Sequence, residues 1–298
     1  MGGNNMYDIK SIYEAKSVDD AIKALSGDPK AVVICGGSDV LIKIREGKLS
    51  GASLVSINGL EELKGVSLDE DGTIVILPAT TFSKVTGSKI IEKYIPALGF
   101  AADQAGGPQL RHVGTIGGNV CNGVTSADTA STLLTLNAEL EITGPNGKRS
   151  VKLEDFYEGP GKVKLSHGEL LTAIKIKKPD YEGFDGCYIK YAMRNAMDIA
   201  TLGCAVHVKF DGSKTKIDEL RLAFGVAAPT PIRCYKAEAV LKGRTVSEAL
   251  GEIGSLALLE VNPRTSWRAS KEFREQLVRE LSGRALNEAA AKAGGANA

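Results

Sequence analysis

Histidine is scarce in this chain of 298 residues: only His112, His167 and His207 occur, and no two stand at metal-ligand spacing. A histidine-based metal centre is not expected, and each of the three reads as a surface or loop residue. The five cysteines, Cys35, Cys121, Cys187, Cys204 and Cys234, are widely spaced, odd in number and never form C-x-x-C. That argues against a zinc or iron–sulfur site in this chain and leaves small thiols suited to a reducing compartment. An excess of charge is also missing, since 37 Lys and Arg face 36 Asp and Glu with no long basic block. Attraction to nucleic acid or to an anionic membrane is therefore not indicated. No apolar run is long enough to span a bilayer, and Met1 to Asp8 lacks the basic and apolar regions of a secretory signal. The expectation is a cytoplasmic protein, with Met1 to Asn5 either a vector remnant or a native leader ahead of Met6.

The common nucleotide and hydrolase motifs are missing too. Neither G-x-G-x-x-G nor G-x-x-x-x-G-K-S/T occurs, and in Gly36-Gly37-Ser38-Asp39-Val40 the valine stands where a nucleophile elbow needs glycine. Rossmann, P-loop and serine-hydrolase readings all lose their motif, and no side chain is assigned a catalytic role. What remains is a nucleotide held by two separate loops, in which case the cofactor carries the chemistry.

Those loops are two glycine pairs. The first, Cys35-Gly36-Gly37-Ser38-Asp39, follows the apolar run Val32-Val33-Ile34 and leads into Val40 to Arg45, which reads as strand, tight turn and helix start. The second is Thr115-Ile116-Gly117-Gly118-Asn119. Glycine lets a backbone come close to a ligand, and a helix start offers unpaired N–H groups to an anion. Together the pairs read as two halves of one phosphate clamp. Asp128, nine residues after Asn119 at the mouth of a helix, either caps that helix or accepts from a ribose hydroxyl. Lys190 to Ile199 reads as a strand and turn with an Arg194–Asp198 ion pair.

Three units are expected along the chain. Residues 1–59 read as a small α/β unit: a helix from Val18 to Leu25 opened by Ser17 and Asp20, the Gly-Gly turn, and a strand from Ser53 to Ile57. Residues 60–178 read as a second α/β unit with hairpins at Asp71-Gly72 and Gly144 to Gly147, helices at Phe82 to Val85, Pro96 to Gln104 and Asp128 to Leu136, and a closing strand from Leu170 to Ile176. Residues 179–298 read as a C-terminal α+β unit with strands at Cys187 to Met193, Ile199 to Phe210 and Glu219 to Val226. Its last helix carries a core stripe of Phe273, Leu277 and Leu281, with Glu275–Arg279 and Glu280–Arg284 pairs on the solvent side.

At this point the residues resemble a known family, the FAD-binding medium subunit of molybdenum hydroxylases. The resemblance runs from about Tyr7 to Gly295 and rests on Gly36 to Leu41, Gln109-Leu110-Arg111, Thr115 to Asn119, Ser126-Ala127-Asp128 and Lys190 to Ile199. The runs Asn119 to Gly123, Leu222 to Arg233 and Ser266 to Arg274 are similar to those of the separate FAD subunits of bacterial xanthine dehydrogenases. The resemblance implies an α+β protein of the PCMH-type FAD-binding fold, two α/β subdomains clamping FAD and a C-terminal domain of antiparallel strands and helices. It implies that Val32, Val33, Ile34, Cys35, Gly36, Gly37, Ser38 and Asp39, with Thr115, Ile116, Gly117, Gly118 and Asn119, hold the FAD pyrophosphate. Asp128 would lie near ribose or ribityl hydroxyls, Leu171 and Lys190 would approach the flavin, and Arg194, Asp198 and Ile199 would lie where an oxidant enters.

The same resemblance places a molybdenum cofactor in a large partner subunit and two [2Fe-2S] clusters in a small one, with electrons leaving through FAD to NAD. Some relatives carry an aromatic residue at the position of Ala105, a tyrosine at that of Ile199 and an acidic residue at that of Met197; none is present here. Two alternatives accompany this expectation: the same subunit serving nicotinate, an aldehyde or carbon monoxide, and a flavin-free nucleotide-binding scaffold. The loop after Val226 and the stretch near Trp267 stand out in composition as partner patches.

Overall fold

The structure, a computed structural model, describes residues 7–295; the expected leader or remnant, Met1 to Asn5, lies outside the described residues. Strands β1 (Ile9–Glu14), β2 (Ala31–Ile34) and β3 (Ala52–Ser56) form a parallel sheet in the order β1-β3-β2, crossed over by α1 (Val18–Gly27) and α2 (Val40–Arg45). The sequence reading lacks β1. That edge strand is exposed at five of its six residues, so no alternation of polar and apolar side chains marks it. The Ser17 hydroxyl caps α1 by accepting from Asp20 N at 3.1 Å, yet the Asp20 carboxylate accepts from Lys16 N, so only half of a capping box forms.

The second sheet has five strands: β4 (Val66–Leu68), β5 (Ile74–Ile76), β6 (Glu139–Gly144), β7 (Gly147–Lys152) and, two short strands later, β10 (Leu170–Ile176), ordered β4-β5-β10-β6-β7. Both expected hairpins are present. The helices packed here are α3 (Phe82–Thr86), α4 (Lys89–Tyr94), α5 (Pro96–Asp103), α6 (Pro108–Val113), α7 (Ile116–Cys121), α8 (Ala130–Thr135) and α9 (Leu153–Phe156); a small hairpin of β8 (Tyr157–Gly159) and β9 (Lys162–Val163) follows. The second glycine pair is thus the first turn of a helix and not a loop. Helices α4 and α6 are absent from the sequence reading because six residues give too little periodicity to register. Their core gathers Ile74, Ile76, Leu98, Leu133, Leu140, Phe156 and Ile174.

A four-stranded antiparallel sheet closes the chain: β11 (Asp185–Tyr191), β12 (Leu202–Phe210), β13 (Ile217–Gly225) and β14 (Ile232–Arg233), covered by α10 (Tyr235–Leu241), α11 (Val246–Leu258) and α12 (Lys271–Lys292). The apolar stripe of α12 starts one turn later than expected. Leu277 and Leu281 are core, whereas Phe273 is 42% exposed with its ring edge-on to Tyr191 at 5.7 Å. Arg284 pairs with Glu280 at 3.7 Å as expected, but Glu275 pairs back to Lys271 rather than forward to Arg279. Among the described residues no helix is long and apolar enough to cross a membrane.

The second and third sheets meet through polar groups. Buried His207 on β12 places Nδ1 2.9 Å from Thr135 Oγ1 on α8, and Arg221 donates to the Thr135 and Asp180 carbonyls at 3.2 and 2.9 Å. This corrects the reading of His207 as a surface or loop residue: an imidazole with a hydroxyl partner is apolar enough to sit in a sheet core. Burial, with Arg221 next in weight, pushes its pKa down to about 3. An unfolded chain takes up this proton below about pH 6.5 while the native one does not, so stability falls with pH from there towards pH 3. Urea unfolding between pH 6 and 4 is expected to show about 1.4 kcal/mol lost per pH unit from this group. The limb should be shallower by that amount in His207→Gln; an unchanged slope would assign the acid sensitivity to other groups.

Candidate functional site

Strand β2 delivers the chain to residues 35–39, where the first glycine pair does two different jobs. Gly37 has φ +73°, a left-handed angle that side-chain-bearing residues rarely take. Gly36 lies so close to the second unit that a Cβ on it would stand 1.8 Å from the Val113 carbonyl oxygen. The first glycine therefore serves backbone-to-backbone contact between two units. The backbone N–H groups of Gly36, Gly37, Ser38 and Asp39 have no acceptor among the described residues. Asp39, the carboxylate beside them, is neutralised by Lys43 at 2.6 Å, and Lys43 also donates to Asn122 Oδ1 at 2.9 Å across the two units.

The second pair is built otherwise. Thr115 Oγ1 caps α7 by accepting from Gly118 N at 3.1 Å. Ile116 N donates to Thr80 O, Gly117 N to Pro78 O and Asn119 N to Thr115 O. Every N–H from Ile116 to Asn119 is thus committed inside the protein. A Cβ on Gly117 would stand 2.4 Å from Pro78 Cβ, whereas Gly118 is exposed and meets only Thr115 Oγ1 at 3.0 Å. Asn119 Oδ1 accepts from Thr129 Oγ1 at 2.7 Å, which leaves its amide nitrogen as the donor this segment can offer. The two halves are unequal: one presents a row of backbone donors, the other a bare glycine and an amide side chain. A diphosphate suits that donor set, which has four free N–H groups and no unpaired carboxylate.

Asp128 is buried, and it does not cap α8, whose N-cap Thr129 makes no side-chain cap bond. Its oxygens accept instead from Tyr188 Oη at 3.0 Å and Lys190 Nζ at 3.1 Å, both on β11. Lys190 also donates to the Gln104 carbonyl at 2.9 Å. Burial raises the Asp128 pKa, opposed by Lys190 and Tyr188, and burial with the Asp128 charge pushes the Tyr188 phenol well up. Tyr188 carries no motif in the sequence; only strand pairing brings it under Asp128. Lys190 forms part of the wall of a cavity of about 450 Å³ with Gln104, Arg111, Arg194 and Asp198.

The turn beyond Lys190 holds the Arg194–Asp198 pair at 3.6 Å, as the residues alone suggest. Met197 takes φ +55° and is 64% exposed, with its thioether over Gly107 of the second unit. Leu171, on β10, is buried in the second core, so only its backbone is available to a ligand. Val32, Val33 and Ile34 are half-buried on β2. Burial pushes the Cys35 thiol up and Cys121 up to about 12, so both pack as neutral thiols.

Substitution separates the two glycine roles. Gly36→Ala forces the Val113 backbone to retreat and is expected to cost about 1–3 kcal/mol. Gly118→Ala, whose methyl meets only the Thr115 hydroxyl at 3.0 Å and has to displace it slightly, is expected to stay within about 1 kcal/mol. Thermal unfolding checks the difference; equal losses would show that Gly36 does not set the contact.

Residues 6–179 match the family described as FAD binding domain in molybdopterin dehydrogenase, and residues 187–289 the CO dehydrogenase flavoprotein C-terminal domain. The chain is 45% identical over 291 residues to the xanthine dehydrogenase FAD-binding subunit of Escherichia coli O157:H7, covering 97% of this chain and 99% of that one. It is 30% identical to the glyceraldehyde dehydrogenase medium chain of Sulfolobus acidocaldarius, over 94% of this chain and 98% of the relative. The reconstituted CO dehydrogenase from Oligotropha carboxidovorans contains a chain that matches with a TM-score of 0.89 at 28% identity, over 96% of this chain and 98% of that one. A match across both halves of the chain, with a relative 45% identical over nearly the full length of both, establishes that this chain belongs to the FAD-binding subunit family of the molybdenum hydroxylases, with FAD as its cofactor.

Proposed function

We propose that this chain is the electron-exit subunit of a xanthine dehydrogenase-type complex in the cytoplasm. It takes electrons from iron–sulfur clusters of a small partner subunit, after substrate oxidation at a molybdenum cofactor in a large one, and passes them to NAD. The observation that carries the reading is the row of N–H groups from Gly36 to Asp39, left without a backbone acceptor among the described residues, at the seam where Gly36 meets Val113 of the second unit. Bound FAD supplies the redox chemistry, accepting electrons one at a time from clusters and giving two, as hydride, to a nicotinamide.

The chain's own residues bind and orient. In this reading residues 1–59 and 60–178 form the two halves of the site, and 179–298 form the unit that closes it. The segment from Val32 to Asp39 and that from Thr115 to Asn119 hold the pyrophosphate, the first through N–H groups and the second through Asn119 and the open face of Gly118. Asp128 accepts from ribose or ribityl hydroxyls with oxygen lone pairs left over from Tyr188 and Lys190. Lys190 and the Leu171 backbone approach the ring. Arg194, Asp198 and Ile199 stand on the turn where the oxidant enters. The adjoining cavity is lined by Arg111, Lys190 and Arg194, each paired with an aspartate, and by the polar side chains of Gln104 and Asn195, so it offers an acceptor hydrogen-bonding groups without a large net charge.

Anaerobic reduction of the assembled complex with xanthine is expected to bleach the visible flavin bands, and added NAD to restore them. Bleaching without recovery on NAD would overturn the acceptor, and a complex that xanthine does not bleach would overturn the substrate.

A further inference from the structure

Arg274, in the first turn of α12, is 2% exposed and takes part in no ion pair among the described residues. Its guanidinium is held by neutral acceptors alone: Nε donates to the Thr201 carbonyl at 3.1 Å, Nη2 to Ser266 Oγ at 2.8 Å and Nη1 to the Arg264 carbonyl. The segment it holds brings two more cations, exposed Arg264 and half-buried Arg268, which likewise have no carboxylate partner among the described residues. Arg268 Nε is buried without an acceptor, and so is Thr201 Oγ1. Burial first, then Arg264 and Arg268, lower the Arg274 pKa, so the local field is positive. Elsewhere in this chain buried cations are matched: Lys190 by Asp128 and Arg233 by Glu238. Arg274 is buried without a carboxylate among the described residues, and two further arginines without one stand beside it.

Trp267, between Arg264 and Arg268, is 77% exposed with the Arg268 guanidinium 4.2 Å from its ring. An open tryptophan flanked by arginines has the composition of a protein-binding hot spot. Neither of the cavities of about 410 and 450 Å³ is lined by these residues. An arginine fork with an unused N–H matches a carboxylate. We infer that the Arg264, Trp267 and Arg268 surface docks a carboxylate-bearing segment of a partner subunit, with Trp267 as the apolar anchor and the two arginines pairing with Asp or Glu side chains. The inference rests on the reading of this chain as one subunit of a complex. Arg274 is the support that ties the surface to Thr201, at the end of the turn beside the flavin-facing cavity.

The chain's single tryptophan makes the surface observable: replaced by 7-azatryptophan in this chain only and excited to the red of the partners' tryptophans, it gives an emission that reports on position 267 alone. Coexpression with the two partner subunits, in wild type and in R264E/R268E, tests the contact. The variant is expected to keep its flavin absorbance and unfolding midpoint, while its complex dissociates at least about tenfold more readily. Emission from position 267 is expected to shift to the blue when wild-type chain meets its partners, and to stay put with ADP. A complex indifferent to R264E/R268E overturns the inference alone, as does an ADP-induced shift, which would make the surface a nucleotide site. Loss of a homodimer with the heteromer intact overturns it in favour of a second copy. A wild-type chain that does not join the partner subunits overturns the complex and the inference with it.

Discussion

The site depends on one close approach of backbones. Gly36 rests on the Val113 carbonyl with no room for a methyl group, and this contact brings the end of β2 against the α6–α7 corner. Because the approach is main chain to main chain, its spacing does not vary with rotamers. Gly37 then turns left-handed, and the chain leaves four consecutive N–H groups without protein partners. Ser38 is exposed and Gly36, Gly37 and Asp39 are half-buried, so these donors are open to solvent or to a ligand. The Lys43 bridge to Asn122 secures the same seam from the side, and Lys43 also pairs with Asp39 at 2.6 Å.

A second constraint fixes the C-terminal unit to this seam. Lys190 and Asp128 form a nearly buried ion pair joined by the Tyr188 hydroxyl, and each partner comes from a different sheet system. Such pairs gain little net stability over apolar contacts, but breaking one strands a buried charge. Their effect is to specify how β11 meets the α7–α8 segment. The His207–Thr135 and Arg221–Asp180 contacts do the same farther along the sheet, and together they leave the cavity beside Lys190 with fixed walls.

Legibility followed local pattern. The hairpins at Gly72 and Gly144 to Gly147, the strand Leu170–Ile176, the capped start of α1 and the long α12 all announce themselves through turn residues, alternation or periodicity. Strand β1 does not, because an edge strand with no buried face has no pattern. Nor do α4 and α6, at six residues each. Phe273 sits on the α12 stripe by spacing, yet its ring lies partly exposed beside Tyr191, and a helix stripe does not reveal where its neighbour ends.

The sequence by itself determined the candidates for the site: the two glycine pairs, Asn119 and Asp128 through residue types and short spacings, and Lys190 through the family resemblance. Tertiary structure alone decided what each does. It set Gly36 against Val113, committed the N–H groups of the second pair to Pro78, Thr80 and Thr115, and turned Asp128 from a helix cap into the partner of Tyr188 and Lys190. Apart from the local Thr115 cap, those partners are separated by tens of residues along the chain. Only the packing of three sheets, driven by apolar burial that carries no record of which polar groups will meet, brings them within hydrogen-bonding distance.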